Sequence, residues 1–135
     1  RLNFNHGTGH GVGYLLNIHD PPINFRWKEG KNAAPALQKN MIITDEPGIY
    51  RAGRHGVRIE NDLLVVEDTQ NEFGKFLKFE PLTYVPIDLD AILPEKMSDE
   101  EKKMLNEYHA AVYEKVGMYL EENEREWLKR YTRPI

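Results

Sequence analysis

His6-Gly7-Thr8-Gly9-His10-Gly11-Val12-Gly13 puts four glycines and two histidines into eight residues. In an extended chain the side chains at i, i+2 and i+4 share a face, so His6, Thr8 and His10 point the same way. The glycines let a second strand or a ligand approach the backbone closely. Two imidazoles on one glycine-lined face suit metal ligation or proton transfer near neutrality. A Gly-rich turn with two half-exposed histidines is the plainer alternative.

Working outward, residues 2–19 read as strand, turn and strand, with Tyr14 to Ile18 as the second apolar piece delivering His19. Asp20-Pro21-Pro22 is expected to stop regular structure, and residues 23–38 read as a long loop. Met41 to Glu46 reads as a strand ended by Pro47-Gly48, and Val57 to Glu67 as another, with Tyr50 to Gly56 as a polar loop between them. The two strands are most simply an antiparallel pair. In the second, Val57, Ile59, Leu63 and Val65 fall on one face and Arg58, Glu60 and Asp62 on the other. The three charges could face water. However, Leu64 and Val66 continue their face as apolar, and Thr44 and Glu46 supply a matching polar face on the preceding strand.

Asn71-Glu72-Phe73-Gly74 reads as a turn, and the apolar run from Phe76 to Val85 is broken by Pro81. Ser98 with Glu101 forms a capping box, and Met104, Leu105, Tyr108, Val112, Val116 and Leu120 follow at helical spacing. Asn123 with Glu126 reads as the cap of a short helix carrying Trp127, Leu128 and Tyr131 as packing residues. His109 has no catalytic partner nearby in sequence and reads as structural.

The 135 residues suffice for one domain or part of a larger protein. A formal net charge of −4 disfavours nucleic acid as a partner. No apolar run has the length to span a bilayer. With no cysteine there is no disulfide, any metal must be held by His, Asp or Glu, and a cytoplasmic location is the matching expectation. The chain opens on Arg1-Leu2-Asn3 and reads as a fragment.

The candidates are therefore His6, His10, His19, Glu46, Arg58 and Glu60. Two glutamates in a covered site repel each other and lose hydration, which a pair of divalent cations offsets. Mn, Zn, Co and Fe accept carboxylate and imidazole ligands. In such sites the ions lie roughly 3.5–4 Å apart, and unligated histidines can shuttle protons or stabilise an oxyanion. Arg58, two residues from Glu60 on the same face, could hold a carboxylate ligand in place.

Four segments in order carry a resemblance: the His6–Gly13 stretch, Asn17-Ile18-His19-Asp20, Thr44-Asp45-Glu46-Pro47-Gly48-Ile49-Tyr50 and Gly56-Val57-Arg58-Ile59-Glu60-Asn61-Asp62. Together they resemble the second half of the pita-bread metallopeptidases of family M24. Phe79-Glu80-Pro81-Leu82-Thr83, Pro86-Ile87-Asp88 and the terminal helices resemble the C-terminal extension of the three-domain aminopeptidase P type. The resemblance implies an α+β fold, with residues 1–80 as the second half of the catalytic domain on a curved antiparallel sheet and residues 81–135 as a helical extension. It assigns His10, Glu46 and Glu60 to the metals, Glu46 also to general base duty, His6 and His19 to substrate and intermediate, and Arg58 to the place beside the bridging glutamate.

The implied activity is removal of the N-terminal residue from peptides with proline second, with two divalent ions, Mn first and Zn or Co as alternatives. Two further aspartate ligands come, in the family, from strands before the first histidine motif and are not in this chain. The fragment alone is therefore expected to bind metal weakly or not at all and to be inactive. It is also expected to expose apolar surface and self-associate, with a homo-oligomer for the parent enzyme. Prolidase, and a non-catalytic peptide- or protein-binding module, are the alternative functions.

Overall fold

The structure, a computed structural model, describes residues 6–26 and 34–135. The chain divides into two compact units, Arg1–Thr83 and Tyr84–Ile135.

In the first unit, β1 (Gly9–Gly11), β2 (Asp20–Phe25), β3 (Ile42–Asp45), β6 (Asn61–Asn71) and β7 (Gly74–Pro81) form an antiparallel sheet in the order β2-β1-β3-β6-β7. A separate hairpin pairs β4 (Gly48–Arg51) with β5 (His55–Arg58). Ile43 and Val65 are fully buried on adjacent central strands, each stabilising the sheet by roughly 1.5–3 kcal/mol through lost contact with water. Gly9 allows β1 to lie close to β3, because a Cβ there would meet the Thr44 carbonyl oxygen inside contact distance.

Several expectations change here. Asp20-Pro21-Pro22 does not end regular structure but opens β2, which lies at the sheet edge, where proline is tolerated. Tyr14 to Ile18 forms no strand; its apolar side chains are exposed, with Leu15 and Leu16 at positive φ. Val57 to Glu67 is not one strand: it breaks at Ile59-Glu60, where the chain leaves the hairpin for the sheet. The supposed loop Tyr50 to Gly56 is mostly the end of that hairpin. Of the expected 23–38 loop, Ile23–Phe25 belongs to β2 and residues 27–33 lie outside the described residues, as do residues 2–5 of the expected first strand.

The second unit holds two short 3-10 turns, α1 (Asp99–Gly117) and α2 (Glu122–Tyr131). The Ser98–Glu101 capping box is present in full, and three acids in the first turn complement the helix dipole. Leu105, His109 and Val112 form the buried stripe of α1, spaced four and three residues apart, while Met104 is exposed. The α2 cap is Glu121 with Glu124, two residues ahead of the pair expected from sequence. Leu128 is buried, but Trp127 and Tyr131 remain part-exposed and stack on each other at 4.5 Å, so the aromatic stripe is only partly core. Arg125 donates to the Gly117 carbonyl, an acceptor at the C-terminal end of α1, and to the Leu120 carbonyl in the turn beyond it. Asn106 pins the chain end through two hydrogen bonds with the Ile135 backbone.

Candidate metal centre

Three elements meet at one point. β1 carries His10, the residue after β3 is Glu46, and Glu60 stands in the joint between β5 and β6. Each of these side chains offers a ligand atom, and the three atoms lie within 4.8 Å of one another. Backbone bonds hold the first two: the His10 amide donates to the Thr44 hydroxyl at 3.1 Å, and the Glu46 amide to the Thr8 carbonyl at 2.6 Å. The Thr44 hydroxyl in turn donates to Glu46 Oε1 at 3.3 Å.

The ring of His10 is oriented for ligation. Its Nδ1 lies 2.9 Å from the Gly11 carbonyl, which can only accept, so that nitrogen is the donor and Nε2 is the ring atom turned toward the cluster. Nε2 faces Glu46 Oε1 at 3.1 Å. Two lone-pair-bearing atoms that close repel unless a proton or a metal ion lies between them. A donor set of one imidazole and two carboxylates, with no thiolate, fits a divalent ion such as Mn, Zn or Co. An imidazole that bonds a backbone carbonyl through its other nitrogen is the usual arrangement of a ligating histidine.

Arg58 bridges the two carboxylates, with Nη1 3.5 Å from Glu46 Oε2 and 3.6 Å from Glu60 Oε2. Its Nε donates to the Tyr50 hydroxyl at 2.8 Å. That hydrogen bond is the largest cause raising the Arg58 pKa, with the charge on the same oxygen next and both glutamates adding. Tyr50 is placed by the hairpin register, which pairs it with Gly56 and pairs Gly48 with Arg58, so Tyr50 and Arg58 share a face. Its ring lies over Gly56, where a Cβ would collide with it.

His6 lies 3.2 Å from the Gly48 carbonyl through Nε2, and its ring meets the Tyr50 ring edge-on at 5.2 Å. The exposed His19 packs its ring against that of His10 at 4.2 Å. All six sequence candidates thus gather around one cluster. Thr8 does not join them: its hydroxyl donates to the Phe25 carbonyl. Burial alone raises the Asp45 pKa beside Glu46. Sequence reasoning assigned no role to Tyr50. The available signal was its even spacing from Gly48 in Glu46-Pro47-Gly48-Ile49-Tyr50, which puts it on the Arg58 face once the hairpin is known.

An antiparallel sheet and a hairpin bring an imidazole and two glutamates to one point that could hold a metal ion, and the chain belongs to metallopeptidase family M24. The family's model matches residues 1–67, and that of the C-terminal region of peptidase M24 matches residues 75–135. The chain is 44% identical over 139 residues to the probable Xaa-Pro aminopeptidase P of Paracoccidioides brasiliensis, covering 99% of this chain and 22% of that relative. It is 40% identical over 136 residues to a putative Xaa-Pro aminopeptidase of Saccharomyces cerevisiae, covering 99% and 18%.

Among solved structures it is similar to X-prolyl aminopeptidase from Caenorhabditis elegans, with a TM-score of 0.84 and 37% identity over 99% of this chain and 22% of that one. The nematode protein is described as a cytosolic enzyme with a di-nuclear active site. The expected α+β fold, the second half of a pita-bread fold with a helical C-terminal extension, is the one observed. The chain spans about a fifth of the length of the curated relatives it matches.

Proposed function

We propose that this chain supplies His10, Glu46 and Glu60 as metal ligands to a two-metal aminopeptidase that releases the N-terminal residue from peptides with proline second. The observation that carries this reading is the convergence of those three ligand atoms within 4.8 Å. Two divalent ions held there, Mn in the first place, would lower the pKa of a water and polarise a carbonyl. Glu46 is placed to accept a proton from the attacking water as general base. Arg58 steadies both carboxylates, and Tyr50 fixes Arg58. His6 and His19 flank the cluster and serve to hold the peptide and donate hydrogen bonds to the oxyanion.

Residues 1–80 act as the second half of the catalytic domain and residues 81–135 as its extension. The likeness of 99% of this chain, residues 81–135 included, to relatives named Xaa-Pro aminopeptidase P supports the aminopeptidase P type over prolidase. A cytoplasmic location is supported by the cytosolic nematode relative; among the described residues no helix is long and apolar enough to cross a membrane. The exposed apolar side chains Tyr14, Leu15 and Leu16 suit self-association of these 135 residues alone, and a homo-oligomer is proposed for the full-length protein.

The test is hydrolysis of an X-Pro-X tripeptide and an X-Pro dipeptide by the full-length protein loaded with Mn. Release of the first residue from the tripeptide is expected; activity confined to the dipeptide would establish prolidase instead. No hydrolysis of either by metal-loaded protein would overturn the peptidase reading. The 135 residues alone are expected to bind Mn weakly or not at all and to leave the tripeptide intact.

A further inference from the structure

We propose that Thr83 is a positioning residue for Glu60, its hydroxyl fixing the start of β6, the strand that directly follows this glutamate. The inference rests on reading His10, Glu46 and Glu60 as metal ligands. Glu60 belongs to neither β5 nor β6, so its backbone is set by what grips the chain on either side. On the hairpin side the Ile59 amide reaches the Pro47 carbonyl at 3.4 Å, a long bond. On the other side β3 pairs with Asn61 and Asp62 along one flank.

Along the opposite flank β7 ends at Pro81, opposite Leu63, and regular pairing stops before Asp62. The next two residues continue the hold by other means. The Leu82 amide donates to the Asp62 carbonyl at 2.8 Å, and the Asp62 amide donates to the Thr83 hydroxyl oxygen at 3.0 Å. The same hydroxyl donates its proton to Asn61 Oδ1 at 2.8 Å. A hydroxyl can accept and donate at once, which neither a backbone carbonyl nor a backbone amide can do. One oxygen therefore ties down two consecutive residues, the first of them adjacent to Glu60. Metal sites require their ligands to be held within about 0.5 Å, and loss of such supporting bonds typically weakens metal affinity or activity 10–100-fold.

The test uses the full-length protein stripped of metal, with Mn as the probe, in the wild type, Thr83→Val and Thr83→Ser. Calorimetric titration should show Mn binding weakened about 10–100-fold in Thr83→Val and nearly restored in Thr83→Ser. Backbone exchange of the metal-free protein should show faster exchange of the Asp62 amide in Thr83→Val alone. Unchanged Mn affinity in Thr83→Val, with only a lower melting temperature, would overturn the proposal, as would an unchanged Asp62 exchange rate. A wild type that takes up no Mn would overturn the metal reading itself, while the exchange measurement still judges the hold on Asp62. Should Thr83→Val fail to fold, Asn61→Ala, which removes the acceptor of the hydroxyl, is expected to weaken Mn binding in the same direction, and unchanged affinity there would count against the role.

Discussion

His10 Nε2 and Glu46 Oε1 face each other across 3.1 Å, with the other imidazole nitrogen engaged by the Gly11 carbonyl. This pair is stable in a partly buried setting only with positive charge beside it. In the absence of metal, Arg58 provides some of that charge to the far oxygen of Glu46. Replacing Glu46 with Gln keeps the shape and removes both the charge and the proton acceptor. Turnover of an X-Pro peptide by the full-length protein is expected to fall by on the order of 10²–10⁴-fold, the usual contribution of a general base. Glu60→Gln and His10→Ala are expected to lower the number of Mn ions retained per chain, read by elemental analysis after dialysis. Full retention in both would remove them from the ligand set.

Tyr50 anchors Arg58 through a 2.8 Å hydrogen bond, and Arg58 touches both glutamates. Tyr50→Phe deletes that acceptor while keeping the ring that lies over Gly56. Activity is expected to drop about 10–100-fold, the range for groups that orient metal ligands from behind. The fold should be preserved, because the hairpin pairing of Tyr50 with Gly56 is made by the backbone. Kinetics of the variant beside its thermal midpoint check this: wild-type rates would show that Arg58 needs no anchor.

Much of the site was legible because its residues come in short motifs whose spacing survives any folding detail. Glu46 directly follows Ile42–Asp45, most of the run read as a strand, which does form the central strand of the sheet. The Ser98 cap of α1 was equally plain. What sequence did not reveal lies where tertiary context overrides a local rule. Pro21 and Pro22 read as a stop, yet an edge strand leaves one side of its backbone unpaired and accepts them. The alternation of Val57 to Glu67 runs straight through Ile59-Glu60, so nothing in the pattern marks the change of sheet there. Glu60 enters the cluster from that joint and not from a strand face, and Thr83, distant in sequence, could not be linked to it by periodicity. The α2 cap was misplaced by two residues because glutamate is a weaker cap signal than asparagine, although the Glu121 amide does donate to the Glu124 carboxylate at 3.0 Å.

Gly9 sits where β1 crosses close to β3, and an added methyl would meet the Thr44 carbonyl carbon and oxygen. Backbone cannot swing aside as a flexible side chain can. Gly9→Ala is therefore expected to destabilise the first unit by about 1–3 kcal/mol, the usual cost of overpacking. It should also pull His10 away from Glu46, since the His10 amide bonds Thr44 itself. Denaturant unfolding and Mn titration of the variant check both effects. Stability and affinity equal to the wild type would mean that β1 has room that the structure denies it.

His109 is fully buried in α1, accepts the Ile87 amide proton at Nε2 over 3.0 Å, and its Nδ1 has no hydrogen-bond partner among the described residues. Burial lowers its pKa from 6.5 because the charged imidazolium loses hydration. The unfolded chain therefore binds more protons than the folded one below pH 6.5, and stability rises with pH across that window. The contribution is complete above the unfolded value and is lost as pH falls through it towards the folded value. His109→Gln keeps an acceptor for the Ile87 amide and removes the titration. Melting curves of wild type and His109→Gln between pH 5 and 8 should converge as the pH falls, with the wild type more stable at the alkaline end. A difference that stays constant over the range would show that the folded chain takes up this proton as readily as the unfolded one.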